Sequence, residues 1–395
     1  MVPLLKGLRI IDLTAVILGP YGTQILGDFG AEVIKVEPPE GDSMRPVAPL
    51  AAPGLSAIFS NFNRNKRSVA LDLKSEAGKE ALRKLIATGD VFVHNMRQEA
   101  MDKLGFTFNA VRALNPRIIY AAAIGFGRHG RYAGKPAYDD VIQSASGFAG
   151  LFQMRDGAPL YAPSIAADKV SGLHLAYAMM AALLYRERTG EVPGYVEVPM
   201  FELMAAFSLS EHMSSATFEE GGKVGYVRVI SPSRRPYKTK DGWVGVLPYS
   251  QRNWTKILAE IDRADVCEFD WFKDPTQRSA RVDELYEILA TAMPARTTAD
   301  WLVTFERLDI PSQPVRLPDD LMTDPHLNDV DFFKPNFSHP TPIHRALRQA
   351  VTMDGVDVVP DLPPPLLGAD TADLLRAAGC SEEVIHATSP HRGKP

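Results

Sequence analysis

The sequence predicts an α/β protein: a large, doubly wound parallel sheet with a second, smaller α+β domain. Short apolar runs rich in β-branched residues alternate with amphipathic helical stretches through the first half of the chain. Those runs are continuous rather than alternating, as strands covered on both faces are. At 395 residues the chain also exceeds what one ordinary core fills.

The elements follow in order. Leu8–Leu13 is a first strand, and Pro20–Gly27 suits a short helix. Glu32–Glu37 is a second strand, closed by Pro38-Pro39, and Ser68–Leu73 a third. A helix over Glu76–Thr88 places Leu82, Leu85 and Ile86 on one face and charges on the other. Val91–Val93 and Ile118–Ala121 continue the alternation. Leu175–Tyr185 is the longest apolar run, about half of the ~20 residues a membrane span needs, and reads as a buried core helix. After residue 190 the pattern changes. Trp243–Leu247 reads as a half-exposed strand, with helices at 251–262, 281–293 and 298–307. Pro335, Pro340, Pro342 and Pro363–Pro365 mark an extended returning segment, followed by a helix near 370–378 and a helical turn near 381–387.

Bulk properties exclude several classes of function. A formal net charge of −5 gives no reason to expect nucleic acid or an acidic membrane as partner. The two cysteines, Cys267 and Cys380, have no metal-like spacing, so neither a zinc site nor a disulfide framework is expected and a reducing cytoplasm fits. The opening MVPLLKGLRIIDLT lacks the pattern of a signal peptide. A strand–loop–helix start invites a dinucleotide-binding reading, but Thr14–Gly22 has no G-x-G-x-x-G, and Pro20 removes an amide that could bind phosphate. No Walker loop occurs either, so NAD and ATP are disfavoured.

Several blocks in fixed order carry a resemblance. They are DLTAVILGPYGTQILGDFGAEVIKVEPPEGD at 12–42 and NRNKRSVALDLKSEAGKEAL at 63–82, then Phe92–Phe106, and Asn115-Pro116-Arg117 leading to Gly125-Phe126-Gly127. Lys135–Asp139 with Ser146-Gly147, Ala167–Gly172, Tyr185–Gly190 and Pro365–Gly368 follow. Together these blocks resemble the class III CoA-transferase family, which includes formyl-CoA transferases, carnitine CoA-transferases and the α-methylacyl-CoA racemases. The resemblance implies a large CoA-binding α/β domain from residues 1–200 and 330–395, a small α+β domain at 225–325, and a linker at 201–224. It also implies an interlocked homodimer, with the active site between one subunit's large domain and the other's small domain.

Asp168 is the candidate nucleophile. It stands just before an apolar helix expected to start near Lys169, where unpaired amides and the helix dipole favour negative charge. A plain helix-capping aspartate is the alternative reading of that spacing. The resemblance assigns Asp168 as the acyl-accepting carboxylate, which forms a mixed anhydride and then an aspartyl-CoA thioester. It places Val16, Leu71, Lys74, Asn95, Met96, Arg97, Lys103 and Tyr138 along the groove for CoA, with the cations serving its anionic end. Acyl-CoA and a carboxylic acid are then the small-molecule substrates, with no tightly bound cofactor and no metal. Arg228, Arg234 and Arg235 are candidates for the acceptor carboxylate, a dicarboxylate such as succinate or mesaconate; an ordinary surface basic cluster is the alternative for each.

The sequence departs from the family pattern in places. Pro38 stands where many members carry Arg, Ile17 where formyl-CoA transferases carry Gln, and His94 and Gln98 differ around Asn95. The covering glycine-rich loop of formyl-CoA transferases has no clear counterpart, Glu220-Gly221-Gly222 being the nearest glycine pair, and these departures together argue against oxalate/formate exchange. The racemase branch has Gly-His-Asp where this chain reads Ala137-Tyr138-Asp139, and a phenol is a poor base near neutral pH. His129 lies upstream in a glycine-flanked loop, and His174 inside the apolar helix reads as a satisfied core histidine. Transfer is therefore favoured over racemisation, with a catalytically silent CoA-binding protein as the third reading.

Overall fold

In the computed structural model the apolar runs of the first half become strands of one six-stranded parallel sheet. These are β1 (Arg9–Leu13), β2 (Glu32–Glu37), β3 (Lys66–Ala70), β4 (Val91–His94), β5 (Ile119–Ile124) and β6 (Val196–Pro199). The structure describes residues 4–334, 343, 345–353 and 362–388. The expected returning segment at Pro335, Pro340 and Pro342 lies outside the described residues.

The strand order is β3-β2-β1-β4-β5-β6, with Ile10 opposite Val33 on one side and Val91 on the other. The direction in which successive strands are added therefore reverses between β1 and β4, while the strands themselves all run parallel. In an open parallel sheet that reversal opens a crevice beyond the strands' carboxyl ends, the usual place for a ligand. One core cluster joins Ile11, Ile34, Val69, Phe92 and Tyr120 of the sheet to Leu82, Leu85 and Ile86 of the helix Glu76–Ala87. Leu374, Leu375 and Ile385 of the helices Thr371–Ala377 and Glu382–Thr388 complete it. Each such side chain contributes about 1.5–3 kcal/mol by leaving water.

Two helices position the site, α1 (Leu18–Asp28) and the 24-residue α2 (Ala166–Thr189). They touch backbone to backbone: a Cβ at Gly22 would lie 2.9 Å from the Gly172 carbonyl oxygen, and one at Gly172 would lie 2.7 Å from that of Leu18. Glycine is required on both sides. The run Leu175–Tyr185 within α2 is not a fully buried helix, as expected, but a two-faced one. Leu175, Ala176, Met179, Ala182 and Leu183 are buried, while Tyr177, Leu184 and Tyr185 are exposed. Apolar composition alone did not distinguish one covered face from two. No helix among the described residues is long and apolar enough to cross a membrane.

Contacts divide the chain into two units, residues 1–146, 161–207 and 328–395, and residues 147–160 with 208–327. The stretch 201–224, expected as a linker, carries the helix Met200–His212. In the second unit Trp243–Val246 is the middle strand of a three-stranded antiparallel sheet, with Tyr237–Lys238 and Ser312–Pro314 beside it. Trp243 is exposed and Val244 buried, the half-exposed pattern its sequence suggests. Helices Gln251–Glu260, Val282–Ala292 and Thr298–Leu308 stand within two residues of their expected bounds. Trp254, Phe272, Tyr286, Trp301 and Phe305 build this unit's core.

Candidate active site

A buried charge network shapes the loop between β1 and α1. Asp12 accepts from the Thr14 amide (2.9 Å) and hydroxyl (2.5 Å), from the Thr23 hydroxyl (2.6 Å) and from Lys66 Nζ (3.2 Å). Lys35 Nζ donates to the Thr14 carbonyl and to Asp42, both at 2.8 Å, and Asp42 in turn accepts from the Val16 amide at 3.3 Å. All four charged side chains are buried, so each ion must be paired to be tolerated. Burial works to raise the Asp12 carboxyl, but Lys66, Lys35 and the two threonine hydroxyls hold it below its usual range. Burial draws the Lys66 ammonium down to about 8 against the pull of Asp12.

Held this way, the loop places Val16 at φ 70°, a left-handed conformation that a β-branched residue rarely adopts. Asn95, just beyond β4, fixes the loop from the other side of the crevice. Its Oδ1 accepts from the Ala15 amide at 3.0 Å and its Nδ2 donates to the Ala15 carbonyl at 2.8 Å. The two loops flanking the sheet's reversal point are thus tied together.

Between them lies a cavity of 540 Å³. Ala15, Val16 and Leu18 line it from the β1 side, Asn95, Met96 and Arg97 from the β4 side, and Gly125 and Phe126 from the loop after β5. Tyr138, Lys135 and Asp168 complete it. A second pair of carboxylates orders the segment after β5: Glu202 accepts from the Gly127 amide at 2.9 Å and Glu197 from that of Arg128 at 3.1 Å. Arg128 also pairs with Glu197 and lies over the Tyr195 ring.

Asp168 is in the first turn of α2, which begins at Ala166 rather than after Asp168 as the sequence suggests. The Ile165 that precedes the helix supplies no side-chain cap, so the usual cap residue gave no signal of this start. Asp168 is 9 % exposed and lines the cavity. Burial first, and the nearby Asp139 second, push its carboxyl up to about 7. The stabilising effect expected from the helix terminus is outweighed.

Of the residues expected at the site, Val16, Asn95, Met96, Arg97, Tyr138 and Asp168 come together in this cavity. Leu71 is buried in the core cluster, and Lys74 and Lys103 are exposed outside the cavity lining. His129 is exposed, and His174 sits on α2 with Nδ1 2.8 Å from the Val170 carbonyl. In the second unit Arg228 donates to the Tyr286 hydroxyl at 3.2 Å, while Arg234 and Arg235 line a separate cavity of 440 Å³ with Tyr237 and Gln313. Lys135 and Arg128 are cavity residues that the sequence did not single out; Lys135 stands in a family-like block, but nothing local marks it as facing inward. Among the described residues no cluster of His, Cys, Asp or Glu could hold a metal ion.

Comparison with known proteins agrees with this fold. The model of CoA-transferase family III matches residues 5–371. The succinyl-CoA:mesaconate CoA-transferase of Haloarcula hispanica is 30 % identical over 399 residues, covering 95 % of this chain and 96 % of that protein. The (R)-2-hydroxy-4-methylpentanoate CoA-transferase of Clostridioides difficile is 29 % identical, covering 97 % of each chain. The crystal structure of a CAIB/BAIF family protein from Brucella suis superposes with a TM-score of 0.81 at 26 % identity, covering 96 % of this chain and 100 % of that one. A parallel sheet with its cavity at the reversal point, and a family match that spans nearly the whole chain, make this protein a member of CoA-transferase family III.

Proposed function

We propose that the protein moves coenzyme A between an acyl-CoA thioester and a carboxylic acid, with Asp168 as the covalent acceptor. The observation that carries this reading is a carboxyl on the wall of a 540 Å³ cavity, buried and raised to about 7. A carboxylate held at higher basicity than in water is a better nucleophile, and a cavity of this size suits a small organic ligand.

The steps balance without an added proton. An Asp168 oxygen attacks the thioester carbonyl, the C–S bond breaks, and CoA leaves as the thiolate. The product is a neutral acyl–aspartyl anhydride. The thiolate then attacks the aspartyl carbonyl carbon, expelling the acyl group as its carboxylate and leaving an aspartyl-CoA thioester. An incoming acid reverses both steps. No general base is needed, so a tyrosine rather than a histidine at position 138 is no handicap for transfer, whereas a racemase must move a proton.

For the CoA arm, Val16, Met96 and Tyr138 offer apolar surface, and Asn95 fixes the loop they flank. Arg97 and Lys135 are the cations on the cavity wall suited to its phosphates. Leu71 belongs to the core cluster against which Met96 packs, and Lys74 and Lys103, being outside the lining, are assigned to the phosphorylated end of CoA. A dicarboxylate acceptor, with Arg228, Arg234 or Arg235 as its cation, and a homodimer that covers the exposed apolar face of α2 complete the proposal. Asp168→Ala should abolish acid-dependent CoA exchange without loss of folding; retention of more than a few per cent of the rate removes Asp168 from this role. Uptake of α-deuterium from heavy water into a 2-methylacyl-CoA, with no acceptor acid present, would instead indicate racemisation.

A further inference from the structure

The geometry points to Asp139 as a positioning residue for Asp168, holding the first turn of α2 and using its own negative charge to favour the covalent state of the nucleophile. The inference rests on Asp168 being the acyl acceptor. Asp139 opens the helix Asp139–Ala145, which packs against α2, and is 7 % exposed. Its Oδ1 accepts from the Asp168 backbone amide at 3.0 Å, and its Oδ2 accepts from Gln143 Nε2 at 2.5 Å. Gln143, fully buried, also accepts from the Ala162 amide at 3.0 Å. One buried acid–amide couple thus fastens the segment that delivers the nucleophile at two points, Ala162 and Asp168.

The charge acts separately from these bonds. Ionised Asp168 is repelled by Asp139, and repulsion of like charges in a poorly solvated site is large. Once Asp168 becomes an anhydride or a CoA thioester it is neutral and the repulsion is gone. The negative charge that leaves departs with the thiolate or the acyl carboxylate. Asp139 therefore destabilises the free carboxylate but not the covalent states.

The other groups around this turn do not share that geometry. On α1, Asp28 is paired with Arg64, and Tyr21 packs edge-on against Phe62. Glu197 on β6 is paired with Arg128, and the Tyr120 hydroxyl on β5 donates to the Phe106 carbonyl. Asp140 is exposed, and Lys169 Nζ on α2 itself donates to the Ser164 hydroxyl at 2.6 Å. Arg97 and Lys135 on the cavity wall are common to wild type and every Asp139 variant.

The test uses full-length protein. Asp139→Asn keeps an oxygen for the Asp168 amide but removes the charge. The acid limb of kcat/KM should move to lower pH by roughly one unit or more. The aspartyl-CoA adduct trapped with acyl-CoA and no acceptor should fall about tenfold, the equivalent of one pKa unit. Asp139→Glu should restore part of both. Should the asparagine variant be insoluble, Asp139→Ser must shift the limb in the same direction. An acid limb unmoved in the neutral variant that folds overturns the role of Asp139, even when a lower rate shows a structural effect. Activity surviving Asp168→Ala is a different result, and it overturns the transfer mechanism itself.

Discussion

Replacing Asp168 by asparagine should make the folded protein more resistant to alkaline denaturation while abolishing transfer. The side chain is nearly isosteric and keeps its place in the first turn of α2, but it cannot ionise. In the wild type the carboxyl is raised from 3.8 to about 7 by burial and by Asp139, a gap of about 3 pKa units. At ~1.4 kcal/mol per unit, holding it ionised in the folded state costs about 4 kcal/mol. The sign follows from proton binding. Between the two values the folded state holds the proton and the unfolded state has lost it, so stability falls as pH rises. The penalty is absent below the unfolded value, grows through the interval and is complete above about 7. At pH 5 less than half of it has developed, so moving to pH 8.5 should widen the gap between asparagine variant and wild type by about 2–3 kcal/mol. Thermal midpoints of both proteins, taken at the two pH values, measure this. Titrating groups other than Asp139, whose repulsion is with Asp168 itself, are common to both chains and cancel. Because two units need not unfold together, the difference of differences is the informative quantity. A variant no more stable than wild type at pH 8.5, or one whose advantage is the same at pH 5, would refute a buried, destabilised carboxylate.

Two further outcomes are expected around the loop after β1. Asn95→Ala strips the Ala15 amide and carbonyl of their partners, so it should cost about 1–3 kcal/mol in chemical denaturation and raise KM for acyl-CoA more than it lowers kcat. Val16→Gly relieves a left-handed valine, a gain of ~1–3 kcal/mol set against ~0.5–1 kcal/mol of added chain entropy. Net stability should rise by about 1 kcal/mol while acyl-CoA binding weakens; a loss of stability would mean that the valine side chain packs better than its backbone suffers.

How far the sequence could be read varied with the physical signal. The sheet was legible because Ile10-Ile11, Val33-Ile34 and Val91–Val93 are short apolar runs whose length and β-branched content favour strands over buried helix. Helix ends were less so: α2 starts at Ala166 behind an isoleucine that supplies no cap, and nothing in Ile165-Ala166-Ala167 announces a terminus. The 147–160 segment was not separable from the first unit, since its grouping with 208–327 depends on contacts distant in sequence. Asp168, Asn95 and Val16 could be named from motif resemblance, and all three line one cavity. Lys135 and Arg128 could not, because a surface basic residue and a cavity basic residue look alike until the chain is folded. The link between Asp139 and Asp168 was equally hidden. It joins a side chain to a main-chain amide 29 residues away, and such bonds leave no periodic trace.

The paired glycines at 22 and 172 have an implication for how this architecture diversifies. They fix the distance between two helices by main-chain contact, so the carboxyl proposed to react is referenced to the rigid framework rather than to the loops that line the cavity. Loop residues can then be exchanged to admit different acids while the reaction centre keeps its coordinates, and one chemistry can be retuned without being rebuilt.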